Sequence, residues 1–177
     1  MKIYVVGSSG SGKTYFARKL ALQCALTHID VDELWVNRGG KRFYNTPESV
    51  LTREKQELRK EISDEIAALC KKERWVIEGN YNFLHMQIAQ VADRIIFLDV
   101  PPAIAVLNLI KREVIQENRR KGFHFGNFLL LLPTAMAKMR GKRHKLLTVL
   151  ADYRAKTVVL RSRRDVTNYL DESTAHS

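Results

Sequence analysis

Cysteine is scarce in this sequence: 177 residues contain two, Cys24 and Cys70, in no metal-binding spacing. That excludes a disulfide-stapled scaffold or a zinc module. Both thiols fall at apolar positions of predicted helices, so they are expected to be buried and free in a reducing compartment. Long apolar runs are missing too, since the longest, Phe128 to Leu132, is far short of the roughly 20 residues that cross a bilayer. No secretory leader pattern is present, because Met1-Lys2 passes directly into a strand-like run. These absences predict a cytoplasmic protein. No repeat, low-complexity tract or linker divides the chain, which predicts one domain over residues 1–177. Acidic side chains are the minority, 19 against 30 Lys and Arg, and the resulting formal charge of +11 predicts an anionic ligand. Charge alone does not choose among nucleotide, nucleic acid and phosphorylated metabolite.

What is present is an alternation of short β-branched runs with helical periodicity. Ile3-Tyr4-Val5-Val6 reads as a buried strand that stops at Gly7. Phe16, Leu20 and Cys24 then recur at spacing four, marking a helix from about Lys13. Thr27 to Asp30 reads as a second strand, followed by a polar loop from Asn37 to Asn45. Thr46-Pro47-Glu48 reads as a helix start, with Leu51, Leu58, Ile62, Ile66 and Leu69 on one face. Further strands are expected at Trp75 to Ile77, Ile95 to Leu98 and Thr157 to Leu160. A helix marked by Ala103, Leu107, Ile110 and Val114 follows the fourth strand, and others cover Phe128 to Met139, Lys142 to Tyr153 and Arg164 to Leu170. The alternation predicts an α/β fold, a parallel sheet with helices on both faces.

The sharpest chemical signal is Gly7-Ser8-Ser9-Gly10-Ser11-Gly12-Lys13-Thr14, which satisfies G-x-x-x-x-G-K-[ST]. Glycines let the chain curl so that consecutive N–H groups face an anion, and the following helix adds the positive end of its dipole. In such a loop Lys13 reaches the β and γ phosphates of ATP, and the Thr14 hydroxyl ligates Mg²⁺. A carboxylate at the end of a neighbouring strand is then expected to hold a Mg²⁺-bound water. Glu78 is favoured over Asp99, because Glu78-Gly79-Asn80 turns away at the carboxyl edge of the sheet.

Asp30 and Asp32 alternate at the end of the second strand, so an extended chain would aim both into one cleft, where one is suited to an acceptor hydroxyl. The loop residues Arg38, Lys41 and Arg42 are candidates to clamp an anionic acceptor, or simply a solvated basic turn. Lys111, Arg112, Arg119, Arg120 and Lys121 suggest a basic lid, roughly residues 111–145, that brings arginine to the transferring phosphoryl group. A second basic cluster, Arg140, Lys142, Arg143, His144 and Lys145, has a weaker claim.

With these motifs in view, the chain resembles the adenylate-kinase-like branch of the P-loop kinases, and in particular the group labelled DNA topology modulation proteins. The likeness lies in Val6 to Thr14, in Trp75-Val76-Ile77-Glu78-Gly79-Asn80-Tyr81, in Ile96 to Pro101 and in Leu160 to Arg164. It implies a five-stranded parallel sheet in the order 2-3-1-4-5, with ATP and Mg²⁺ as cofactors. It likens Glu78-Gly79 to the Asp-Gly pair that holds the Mg²⁺ water, and Asp32 to a carboxylate that touches a substrate hydroxyl. It places the loop from Arg161 to Asp165 at the adenine, largely through backbone. The Asp-Gly-Phe-Pro-Arg run of adenylate kinases is absent, because Asn80-Tyr81-Asn82 follows Gly79. The expected activity is ATP-dependent phosphoryl transfer to a nucleotide or other small molecule. The alternatives are an ATP-binding, nucleic-acid-associated regulator and a plain NTPase.

Overall fold

The computed structural model describes residues 1–44, 46, 50–117, 137, 139–141 and 143–175, and the side chains of these except 112–117, 174 and 175. Strands β1 (Lys2–Gly7), β2 (Thr27–Asp30), β3 (Trp75–Glu78), β4 (Arg94–Leu98) and β5 (Thr157–Leu160) form one parallel sheet in the order β2-β3-β1-β4-β5. The helices are α1 (Lys13–Gln23), α2 (Val31–Asn37), α3 (Arg53–Cys70), α4 (Asn82–Val91), α5 (Pro102–Glu117), α6 (residues 143–151) and α7 (Arg163–Ala175).

Alternation along the central strands sorts the core into two layers. Tyr4, Val6, Trp75, Ile77, Ile95 and Phe97 face Leu58, Ile62 and Ile66 of α3, Leu84 and Ile88 of α4, and Leu146 and Leu150 of α6. Ile3, Val5, Val76, Ile96 and Leu98 face Phe16 and Leu20 of α1 and Leu170 of α7. Central strands covered on both sides must be apolar throughout, which is why β1 reads as an unbroken hydrophobic run. The fold is the three-layer α/β arrangement expected from the sequence. Cys24 and Cys70 are both buried free thiols. Among the described residues no helix is long and apolar enough to cross a membrane.

Four local expectations need correction. The chain turns helical at Val31 instead of continuing as an extended loop, because Asp30 caps α2: its Oδ1 accepts from the N–H groups of Asp32 (2.9 Å) and Glu33 (3.2 Å). Helix α3 begins at Arg53, not near Thr46, with the Thr52 hydroxyl accepting from Lys55 N–H, so Leu51 lies outside the helix and is exposed. Helix α4 was not foreseen. On α5 the buried positions are Ala105 and Val106 while Leu107 is 54% exposed, because the helix packs against the phosphate loop through Ala105. Most of the proposed lid, with Arg119, and the side chain of Arg112 lie outside the described residues.

Ile62 is fully buried between α3 and the sheet. Ile62→Ala is expected to lower stability by about 2–5 kcal/mol, the usual cost of such a cavity, measured by urea unfolding at neutral pH.

Candidate functional site

The loop between β1 and α1 is shaped by two glycines with left-handed backbones, Gly10 (φ 80°) and Gly12 (φ 91°). Gly12 occupies the N-cap of α1, where no side chain caps the helix and no acidic residue stands in its first turn. The leading N–H groups of α1 therefore meet neither a capping oxygen nor a carboxylate, which is the ordinary condition for holding an anion. Ser9, Gly10, Gly12, Lys13, Thr14 and Tyr15 line one side of a cavity of about 790 Å³. Lys13 is 7% exposed and its ammonium donates to Ser8 O at 3.2 Å, so its charge is held beside the loop.

Side chains that the motif does not include brace this loop. Asn108 of α5 donates to Gly10 O at 2.9 Å, and a Cβ on Gly10 would collide with the carbonyl of Ala105. Asn80 donates to Gly7 O at 3.3 Å, Asn80 Oδ1 pairs with His85 Nε2 at 3.0 Å, and His85 Nδ1 pairs with Tyr4 OH at 2.6 Å. A carbonyl only accepts, so Asn80 must donate its amide to Gly7 and accept from His85 Nε2–H. Nδ1 is then the acceptor for Tyr4, and His85, 1% exposed, is the neutral Nε2–H tautomer. Burial, followed by the charge of Cys70, pushes the Tyr4 hydroxyl far above its ordinary value, so it stays a donor. Nothing in the sequence pointed to these braces, because α4 was not foreseen and Asn108 stands alone among the polar positions of α5.

The two carboxylates considered for magnesium have different surroundings. Glu78 is buried, and neither of its oxygens has a hydrogen-bond partner; His28 Nε2, itself unpartnered, stands 3.6 Å away. On β3 it shares a face with Val76, which packs against α1, so Glu78 points to the layer that α1 occupies. A buried carboxylate without donors is costly, and the position suits one that completes its shell with water or a cation. Asp99 is already engaged: Arg143 donates to it bidentately at 2.6 and 2.8 Å, and Arg161 approaches to 3.8 Å. The Asp99 carboxylate thus holds α6 to the end of β4. Arg161 is exposed apart from this contact, and its N–H donates to Asp165.

Asp32, but not Asp30, lines the same cavity as the phosphate loop. The Tyr81 hydroxyl bonds to Asp32, and Tyr81 titrates far above its ordinary value, first from burial and then from the Asp32 charge. Asp30 is half-buried and its carboxyl is also raised, by desolvation first and then by the charge of Glu78, its register partner on β3. The expected basic clamp is not assembled: Arg38 pairs with Glu65 at 2.8 Å, Arg42 with Glu54 at 3.9 Å, and neither they nor Lys41 reach the cavity wall. Besides Lys13, Lys55 and Arg59, one turn apart on α3, line it. Both stand on the helix the sequence predicts, but nothing in that segment shows which cavity they border. Of the second basic cluster, Arg140, His144 and Lys145 are exposed and Lys142 lies outside the described residues.

Because the Asp30 pKa is raised on folding, wild-type stability is lost as pH climbs from the ordinary value of 3.8 through the raised one. Asp30→Asn keeps the capping oxygen and does not titrate. Its urea midpoint is expected to exceed wild type at pH 7, and the two are expected to converge below pH 3.8. Equal midpoints at pH 7 would show that the three neighbouring carboxylates do not repel one another.

Comparison with known proteins agrees with this geometry. A family model described as AAA domain matches residues 6–123, about two-thirds of the chain. No curated protein matches. Among solved structures, a shikimate kinase from Bacteroides thetaiotaomicron is similar with TM-score 0.62 at 16% identity, covering 99% of this chain and 97% of that one. A shikimate kinase from Acinetobacter baumannii in complex with shikimate gives 0.59 at 16% identity, covering 97% and 89%. A gluconokinase from Sinorhizobium meliloti 1021 gives 0.51 at 16% identity, covering 98% and 89%. At that identity the likeness is one of fold, the three-layer α/β P-loop fold. The family match spans the end of β1, the phosphate loop and strands β2, β3 and β4, and the chain belongs to the AAA domain family.

Proposed function

We propose that this protein is an ATP-dependent phosphotransferase that acts, as a single P-loop kinase-like unit over residues 1–177, on a hydroxyl of a small molecule. The observation that carries this reading is one cavity bordered both by the uncapped start of α1 with Lys13 and by Asp32. A phosphate tail and an acceptor both find their partners in it. The similarity in fold to shikimate kinases and a gluconokinase supports the same reaction class.

In this reading the acceptor oxygen attacks the γ-phosphorus, the bond to the β,γ-bridging oxygen breaks, and ADP leaves. Asp32, oriented by Tyr81, accepts the hydroxyl proton. Lys13 and the first-turn amides of α1 balance the charge on the phosphates. Asp30, Asp32 and Glu78 place negative charge beside the transfer point, which would repel a phosphate nucleophile and suits a neutral hydroxyl.

Thr14 and Glu78, the latter through water, fit a Mg²⁺ ion. Among the described residues there is no three-ligand protein cage, and Mg²⁺ characteristically keeps waters and binds mainly through substrate phosphates. When bound, the ion would supply charge neutralisation at the phosphates. Asp99, tied up by Arg143, is the poorer choice. The backbone at Arg161 is assigned to the adenine on the sequence resemblance alone, and the arginine of transfer to Arg112 or Arg119 on the basic cluster that follows the fourth strand. The nucleic-acid reading, which the topology modulation resemblance and the +11 charge motivate, is not favoured. Arg38, Arg42 and Arg143 each spend their charge on a carboxylate.

The test is transfer from γ-labelled ATP to a panel of hydroxyl-bearing metabolites. A labelled phosphomonoester is expected, and Lys13→Ala is expected to lower kcat by about 10²–10³-fold, as for other preorganised charge-stabilising donors, with an unchanged unfolding midpoint. A folded, ATP-binding protein that labels no acceptor would end the kinase reading.

A further inference from the structure

The buried carboxylate of Glu78 has a neighbour that the phosphotransferase reading leaves unused. Strand β2 forms an edge of the sheet and pairs with β3 so that His28 stands beside Val76 and Asp30 beside Glu78. Ile29 joins the α3 side of the core, so His28 and Asp30 share the opposite face, where Val76 meets α1. Glu78 lies on that same face. Of the two β2 residues beside it, Asp30 cannot serve it. A carboxylate offers only acceptors, and Asp30 Oδ1 is already engaged by the first N–H groups of α2. His28 can donate.

The orientation of the His28 ring is the informative detail. The side chain is 19% exposed, yet Nε2 is buried and has no hydrogen-bond partner. The part of the ring that meets solvent is therefore not this nitrogen, which instead stands 3.6 Å from Glu78 Oε1. That is about 0.4 Å beyond the ordinary N–H···O range. Nε2 and both Glu78 oxygens are thus three unpartnered polar atoms gathered in one place, where buried polar groups are normally paired. A small rotation of either side chain closes the pair from the edge strand, behind the face that Glu78 turns toward α1.

We propose that His28 is a positioning residue for Glu78. Its Nε2–H donates to Oε1 and fixes the carboxylate, which leaves Oε2 for a water bound to Mg²⁺. The imidazole touches neither nucleotide nor ion. It acts through Glu78, as the outer partners of metal-holding groups characteristically do. This role rests on the assignment of Glu78 to the magnesium water, and the experiment keeps the two separable.

Affinity for the β,γ-imido analogue of ATP is measured with and without Mg²⁺, so the ratio of the two reads the hold on the metal without any phosphoryl transfer. His28→Leu is expected to lower that ratio about tenfold or more, the scale of losing an outer partner, with the metal-free affinity changed by less than about twofold. His28→Gln, whose amide also donates, is expected to recover most of the ratio. Glu78→Gln is expected to lower it as well. Adding His28→Leu to Glu78→Gln is expected to lower it no further, because His28 acts only through that carboxylate. A His28→Leu ratio equal to wild type while Glu78→Gln loses it overturns the inference and leaves Glu78 its role, whatever happens to the unfolding midpoint. So does a further loss in the double variant. A ratio that Glu78→Gln does not change removes the magnesium assignment itself, and the role of His28 with it.

Discussion

A helix that starts without a capping side chain leaves main-chain N–H groups in want of an acceptor, and in this protein that want is placed at the carboxyl edge of a central strand. The rest of the site is arranged around keeping it there. Gly12 adopts the left-handed turn that starts the helix, Gly10 lets α5 approach to contact, and the two asparagines hold the carbonyls of Gly7 and Gly10. Since β1 lies between β3 and β4, the loop stands on the central strand of the sheet, buried from Ile3 onward. Its position is a property of the core and not of the loop alone.

Charge is divided across the cavity with the same economy. Positive potential comes from α1 and Lys13, and negative potential from Asp32, with Asp30 and Glu78 behind it. The Asp30 carboxyl is raised by its burial first and by the neighbouring Glu78 charge second. Much of the surface charge, meanwhile, is spent locally in exposed pairs such as Arg53–Glu57 and Lys60–Asp64, worth little to stability. The net charge therefore says less about ligand choice than the few groups that face the cavity.

The order of the sheet and the phosphate loop were legible because both depend on local rules. A buried parallel strand must be apolar throughout, and a phosphate loop requires glycines, lysine and threonine at fixed spacing. The second strand was legible up to Asp30 and misread immediately after it. A strand and a capped helix share Asp-Val-Asp equally well, and only the two N–H bonds to Asp30 Oδ1 distinguish them. That single error hid α2 and thereby Trp35. The aromatic lining of the cavity was illegible for a different reason: Trp35 and Phe43 lie far along the chain from Tyr81 and Phe83, and neither segment indicates that the other converges on it.

The relay of Tyr4, His85 and Asn80 joins three chain segments through hydrogen bonds whose directions are all dictated from one end, by the Gly7 carbonyl. Replacing Asn80 or either ring with a residue of different donor pattern leaves a buried polar atom of Tyr4 or His85 without its partner. Among relatives that retain this loop, positions 4, 80 and 85 should accordingly be inherited as a unit, changing together or not at all.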